Sequence, residues 1–194
     1  MSEQDRQRWN ERYAQGAYQQ RDHPSEHLVT ACADISPHRG RALDLACGAG
    51  RNARYLAGLG FSVTGMDIST VALERAREAA QALDLDVDWQ ACDLDAVTEL
   101  DGEYQLICMM RYVNPELLLL AAGSLATGGT LVVEEHLRTQ AEVSGPRNPD
   151  FRVPGGALLQ ATQGLRVLKH EEGEFADPDG ATVALARLIA RREA

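Results

Sequence analysis

Ala42-Leu43-Asp44-Leu45-Ala46-Cys47-Gly48-Ala49-Gly50-Arg51-Asn52, with Val63-Thr64-Gly65-Met66-Asp67-Ile68-Ser69 downstream, is the stretch that decides the fold of this chain. It reads as a buried strand, a glycine-rich turn, a helix, and a second strand ending in an acid. Glycine lets a backbone turn approach a ligand without Cβ clashes. A carboxylate at the end of the next strand can accept hydrogen bonds from ribose hydroxyls. The two features make a nucleoside-binding βαβ unit. The spacing Gly48-x-Gly50-x-x-Ala53 also fits a dinucleotide fingerprint, so the loop by itself leaves the nucleoside open.

Working outward, residues 3–14 read as a helix with Trp9 and Tyr13 on one face. Residues 15–40 are loop-rich around a short helix near 25–33. Strands are expected at 43–45, 61–66, 87–91, 104–110 and 130–134. Helices are expected at 51–59, closed by Gly60, at 71–83 behind an N-capping Ser69, and at 116–125 behind Pro115. Gly128-Gly129 reads as a turn, 140–154 as an irregular segment, and 156–163 as a short helix. Two closing strands, 165–172 and 182–191, are joined by the turn sequence Asp177-Pro178-Asp179-Gly180. The order is read as β-α repeated five times and then a hairpin, which implies a parallel, doubly wound α/β sheet with one antiparallel insertion. That ending favours methyl-transfer enzymes over dinucleotide dehydrogenases, whose second half repeats βαβ.

Length and composition bound the function. With 194 residues the chain has room for one α/β domain and little for a second, substrate-carrying one. A formal charge of −10 counts against nucleic acid or an anionic membrane as the main partner. Arg187, Arg191 and Arg192 form a local basic cluster, read as a solvated strand edge and tail. Cys32, Cys47, Cys92 and Cys108 include no C-x-x-C pair, so no metal or disulfide-exchange site is indicated. His23 and His27, spaced four apart around Glu26, lack a third partner and read as loop residues near a pocket mouth. His38 and His170 read as surface residues. The polar N-terminus and short apolar runs point to a cytoplasmic protein with no membrane span.

The chain resembles the class I S-adenosylmethionine (SAM) dependent methyltransferases. Within them it is closest to the small bacterial group related to tellurite-resistance and thiopurine methyltransferases. The resemblance rests on Trp9-x-x-Arg12-Tyr13, Leu43 to Asn52, Gly65-Met66-Asp67-Ile68-Ser69, Cys92-Asp93-Leu94 and the Asp179-Gly180 hairpin. It implies a Rossmann-like seven-stranded sheet of order 3-2-1-4-5-7-6 with strand 7 antiparallel. It also implies a helical lid over residues 1–40 and a SAM-binding domain over 41–194. Ala46 stands where the family has its first loop glycine, and it fits there if its φ stays negative.

On that resemblance Asp67 holds the ribose, and Gly48 and Gly50 wrap the methionyl part. Asn52, at the opening of the following helix, faces the carboxylate end. Asp44 faces the ammonium or satisfies backbone donors in the turn. Asp93 meets the adenine amine, with Asp95 as the alternative register. Ala46, Ile68, Leu94 and Met109 complete the expected cofactor contacts, and Trp9 and Tyr13 cover its methyl end or anchor their helix. No metal is implied. The acceptor side is expected at Arg111, Tyr112 and His136, with His136 or Tyr112 as a general base if one is needed and Arg111 as an anion holder or the partner of Glu134 or Glu135. The implied activity is methyl transfer to a small molecule with a thiol, chalcogen, oxygen or nitrogen nucleophile. The alternatives are a non-catalytic SAM-binding regulatory or partner subunit and, less favoured, a nicotinamide-dependent oxidoreductase. Neither the acceptor nor the oligomeric state is legible.

Overall fold

A computed structural model of the chain describes residues 3–35 and 39–193; His38 lies outside them. The elements run α1 (Glu3–Ala14), α2 (Glu26–Ala33), β1 (Arg41–Leu45), α3 (Arg51–Leu59), β2 (Ser62–Asp67), α4 (Thr70–Gln81), β3 (Val87–Ala91) and β4 (Tyr104–Met110). They continue with α5 (Pro115–Gly123), β5 (Leu125–His136), a 3₁₀ turn at Pro149–Phe151, α6 (Ala157–Ala161), β6 (Arg166–Ala176) and β7 (Thr182–Arg191). The seven strands form one sheet of order β3-β2-β1-β4-β5-β7-β6, parallel except for β7, which runs antiparallel to both β5 and β6.

Local chemistry sets most boundaries. The Ser69 side chain accepts from the Ala72 amide at 3.1 Å and opens α4. The Asn114 carboxamide accepts from the Leu117 amide at 2.9 Å, with Pro115 in the first turn of α5, where its missing N–H costs nothing. Gly60, at φ 107°, closes α3 in a left-handed conformation that alanine would resist.

Strand β4 shows why the sheet is buried on both faces. Ile107 and Met109 enter a cluster with Leu43, Leu131 and Val133 under α5 and α6, while Leu106 and Cys108 enter a second with Leu28, Leu56 and Val132 under α2 and α3. The alternation follows from the two-residue period of a strand. Each fully buried leucine contributes about 1.5–3 kcal/mol by leaving water.

Three expectations change. No helix separates β3 from β4; residues 92–103 are turns and loop, so the β-α repeat is broken once. Strand β5 begins at Leu125, ahead of Gly128-Gly129, because Leu125 already pairs with Tyr104 before the register shifts. Arg187 on β7 and Arg192 just beyond it are not a solvated edge and tail. Arg187 pairs with Glu134 at 2.8 Å, and Arg192 donates to the Gly123 and Leu125 carbonyls at 2.9 and 2.7 Å.

Candidate functional site

The carboxyl ends of β1, β2, β4 and β5 gather the residues singled out in the sequence. After β1 the backbone turns through Ala46 (φ 56°), Gly48 (φ 54°) and Gly50 (φ 75°), all left-handed. Ala46 therefore breaks the condition of a negative φ, and the loop keeps its shape at a cost of about 1–2 kcal/mol for a Cβ in that region. Gly48 allows no such substitution, because a Cβ there would overlap the Tyr13 hydroxyl. Gly50 and Gly65 are both pressed by the Trp89 ring, which comes to 2.7 Å from a Cβ built on Gly65. Trp89 went unnoticed in the sequence because nothing in the β3 pattern tells which neighbour its ring meets.

Asp67 lies at the end of β2 and is buried. Its two oxygens accept from the Gly48 amide at 2.8 Å and the Ser69 amide at 2.8 Å, so it fixes the glycine loop against the start of α4. Burial pushes its pKa up, while these amides and that of Ile68 pull it back. A carboxylate offers about four acceptor positions, so Asp67 keeps capacity for a further donor. Asp44 is committed more fully. It accepts from the Ala53 amide at 3.0 Å and the Cys108 thiol at 3.3 Å, and burial raises its pKa to about 7. Here the loop-satisfying role is the one with hydrogen bonds. Asn52 is likewise tied, its carbonyl oxygen accepting from the Ser25 amide at 2.9 Å.

The N-terminal segment lies across this edge. The Asn10 side-chain oxygen accepts from the Ser69 hydroxyl at 2.8 Å, and Arg75 donates to the Tyr13 and Ala17 carbonyls at 3.3 and 3.2 Å. Trp9, Tyr13 and Tyr18 form a tilted aromatic run, with ring centroids 6.3 and 5.8 Å apart and Arg12 stacked on Trp9 and Tyr18. Burial and the nearby Asp67 push the Tyr13 phenol well up. Farther along, Arg21 bridges to Asp177 and Asp179 at 2.7 and 2.8 Å, carrying the strand of chain over to the β6–β7 turn. His27 is no pocket-mouth residue: it sits buried on α2 with Nε2 3.1 Å from the Leu188 carbonyl. His170 is half-buried on β6, beside Glu172.

At the ends of β4 and β5 the expected acceptor residues are largely engaged. Arg111, at φ 61°, forks onto Asp177 at 2.7 and 3.1 Å and donates to Glu134 at 3.1 Å. Of its two expected roles, pairing with an acid is the one realised. The Tyr112 hydroxyl donates to Asp95 at 2.7 Å, and burial and that carboxylate raise its pKa, which removes it as a ready proton acceptor. His136 is held neutral, its pKa lowered to about 4 by burial and the charges of Arg111 and Arg152. Its Nδ1 lies beneath Gly145 with no hydrogen-bond partner among the described residues. Glu135, read in the sequence only as a possible partner of Arg111, is hydrogen-bonded instead to the backbone of Tyr112. It accepts from the Tyr112 amide at 3.1 Å, its other oxygen is buried and has no hydrogen-bond partner among the described residues, and burial pushes its pKa well above the usual carboxylate range. Toward β3, Asp93 accepts from the Asp95 amide at 3.0 Å, and Leu94 and Met109 are fully buried. Among the described residues no group of three or more His, Cys, Asp or Glu could hold a metal, and no helix is long and apolar enough to cross a membrane.

Comparison with known proteins agrees with this geometry. Residues 42–129 match the methyltransferase domain family. A ubiquinone biosynthesis O-methyltransferase of Brucella anthropi is 27% identical over 154 residues, covering 76% of this chain and 58% of its own length. The chain thus spans little more than half of that relative. Among solved structures, TehB from Haemophilus influenzae superposes with TM-score 0.73 at 24% identity, over 86% of this chain and 61% of that one. Magnesium protoporphyrin IX methyltransferase from Synechocystis, solved with S-adenosylhomocysteine (SAH), gives TM-score 0.69 at 17% identity over 97% and 98%. The superpositions give the chain the fold of these methyltransferases, and residues 42–129 are similar to the methyltransferase domain family.

Proposed function

We propose that this chain transfers the methyl group of SAM to a small-molecule acceptor, with residues 41–194 as the binding domain and residues 1–40 as the lid. One observation carries the cofactor side: the left-handed glycine loop after β1 is locked by its Gly48 amide onto Asp67, whose oxygens keep acceptor capacity. Asp67 is the residue that would take the ribose hydroxyls. Gly48 and Gly50 would line the methionyl part, and Asp93 with Leu94 the adenine. When bound, SAM supplies a methyl group activated on a sulfonium.

The chain's own task is then alignment and exclusion of water. Tyr13 and Trp9 would close over the reacting end. His136 is neutral at pH 7 and able to take a proton, although its lowered pKa makes it a weak base. That suits a nucleophile that is already anionic or soft. The engagement of Arg111 and Tyr112 keeps a second reading in view, a SAM-binding protein without turnover. The test is calorimetry of SAH and NAD on the purified chain, followed by a screen of acceptors. Micromolar SAH binding with NAD far weaker supports the reading, and tighter NAD binding overturns it. Failure of every acceptor on a protein that binds SAH would favour the non-catalytic alternative.

A further inference from the structure

Trp89 stands in the middle of β3, the outer strand of the sheet, and pairs in register with Gly65 of β2. Gly65 pairs in turn with Asp44 of β1. Residues side by side on neighbouring strands share a face, so the missing side chain of Gly65 leaves a gap between the indole and Asp44. The ring lies across that gap. A Cβ built on Gly65 would stand 2.7 Å from its Cζ3 and 2.8 Å from its Cε3. The far corner of the same ring reaches the glycine loop. There a Cβ on Gly50 would overlap Cη2 and stand 2.9 Å from both Cζ3 and the Ala76 methyl of α4.

The two glycines belong to the two arms that the cofactor would meet. Gly50, at φ 75°, is the residue from which α3 starts, so its position sets where the first amides of that helix point. Gly65 lies two residues before Asp67 on the same strand. On one side the loop is held by the bond from the Gly48 amide to Asp67. On the other, glycines have no side chains to pack, and the indole fills the space they leave. An indole is rigid and turns about only two side-chain bonds, so the spacing it sets is stiff. A loop already held in its binding shape has less ordering to lose when a ligand arrives.

We propose that Trp89 is a positioning residue for the cofactor: through Gly50 and Gly65 its ring sets the spacing between the glycine loop and Asp67. This rests on the methyl-transfer reading above. The test is calorimetry of SAH on wild type, Trp89→Leu, Trp89→Phe, Gly65→Ala and the double variant Trp89→Leu/Gly65→Ala, each checked for folding by circular dichroism. Trp89 is half-buried and borders the groove between β3 and α4, so a smaller side chain admits water there instead of leaving a sealed void. Trp89→Leu should weaken SAH fivefold or more, and Trp89→Phe, which restores a shorter flat ring, should recover part of that loss. Gly65→Ala, whose backbone suits alanine, pushes the ring away and should weaken SAH at least tenfold in the wild-type background. With Trp89→Leu only the 3.2 Å approach to the Cys47 sulfur remains, and the further loss should be threefold at most. A merely structural role would lower the melting temperature and leave the SAH affinity of the folded protein alone, so wild-type affinity in folded Trp89→Leu overturns the proposal. So does full multiplication of the two single losses in the double variant. If Trp89→Leu does not fold, Trp89→Phe decides: it should weaken SAH at least twofold, and unchanged binding overturns the proposal. Wild-type protein that binds no SAH would instead remove the methyl-transfer reading and the role of Trp89 with it, a result distinct from losses confined to the variants.

Discussion

Replacing Gly48 with alanine tests the contact between the N-terminal helix and the glycine loop. Gly48 sits at φ 54°, where a Cβ costs about 1–2 kcal/mol. The added methyl would also overlap the Tyr13 hydroxyl. Tyr13 cannot swing away freely, because its ring is buried between Trp9 and Tyr18. Overpacking of this kind costs typically 1–3 kcal/mol. Against these stands about 0.5 kcal/mol gained from a less flexible unfolded chain. Gly48→Ala should therefore destabilise by roughly 2–4 kcal/mol, a large share of the 5–15 kcal/mol of an ordinary domain. Removing the hydroxyl separates the two costs. In Tyr13→Phe the nearest ring atom is Cζ, 3.4 Å from the new Cβ, an ordinary contact. Urea denaturation of wild type, both single variants and the double variant gives the coupling, provided the slope is unchanged. We expect Gly48→Ala to cost about 1–2 kcal/mol less in the Tyr13→Phe background. Additivity within about 0.5 kcal/mol would mean that the Tyr13 hydroxyl does not lie over Gly48.

Two further predictions concern the same edge. Ala46→Gly removes a left-handed Cβ at φ 56° and should leave stability unchanged or raise it by up to about 1 kcal/mol, whereas the same change at an ordinary position costs about 0.5–1 kcal/mol; a loss of that size in thermal or urea unfolding would contradict the strain assigned to Ala46. His136, lowered to about 4 in the folded chain, takes up its proton first in the unfolded state, so on acidification its stabilising contribution falls from about pH 6.5 through 4. Wild type should lose up to about 3 kcal/mol relative to His136→Gln across that window. Asp44, raised to about 7, works in the opposite direction there but cancels in the difference, and parallel pH profiles would show that His136 titrates normally.

What the sequence revealed and what it hid follow from the range of the interactions involved. The Ser69 cap, the Gly60 stop and the five-residue strand Val87–Ala91 depend on neighbours a few positions away, and each is where its residues put it. The loop residues Gly48 and Gly50 and the acid Asp67 were legible because one βαβ unit brings them together. Arg111 was not, because its choice between substrate and acid depends on Asp177, 66 positions on, which arrives only when the β6–β7 turn closes over the sheet. The start of β5 was hidden by Gly128-Gly129, whose turn chemistry is real (φ 78° at Gly128) yet overridden by pairing with Tyr104. Glu135 was legible only as one of two acids at the end of β5 that could pair with Arg111. Only the pleat of β5 under the loop of residues 137–156 shows it buried with an unpartnered oxygen.

The central claim is that Asp67 and the glycine loop hold the nucleoside of SAM, and calorimetry of SAH on wild type and Asp67→Ala tests it most directly. Loss of the hydrogen bonds to a charged acceptor is worth about 1.5–3 kcal/mol, so affinity should fall roughly 10- to 150-fold. The variant's circular dichroism spectrum should remain that of the folded chain. Unchanged SAH affinity in a folded Asp67→Ala protein would place the nucleoside elsewhere and contradict the account.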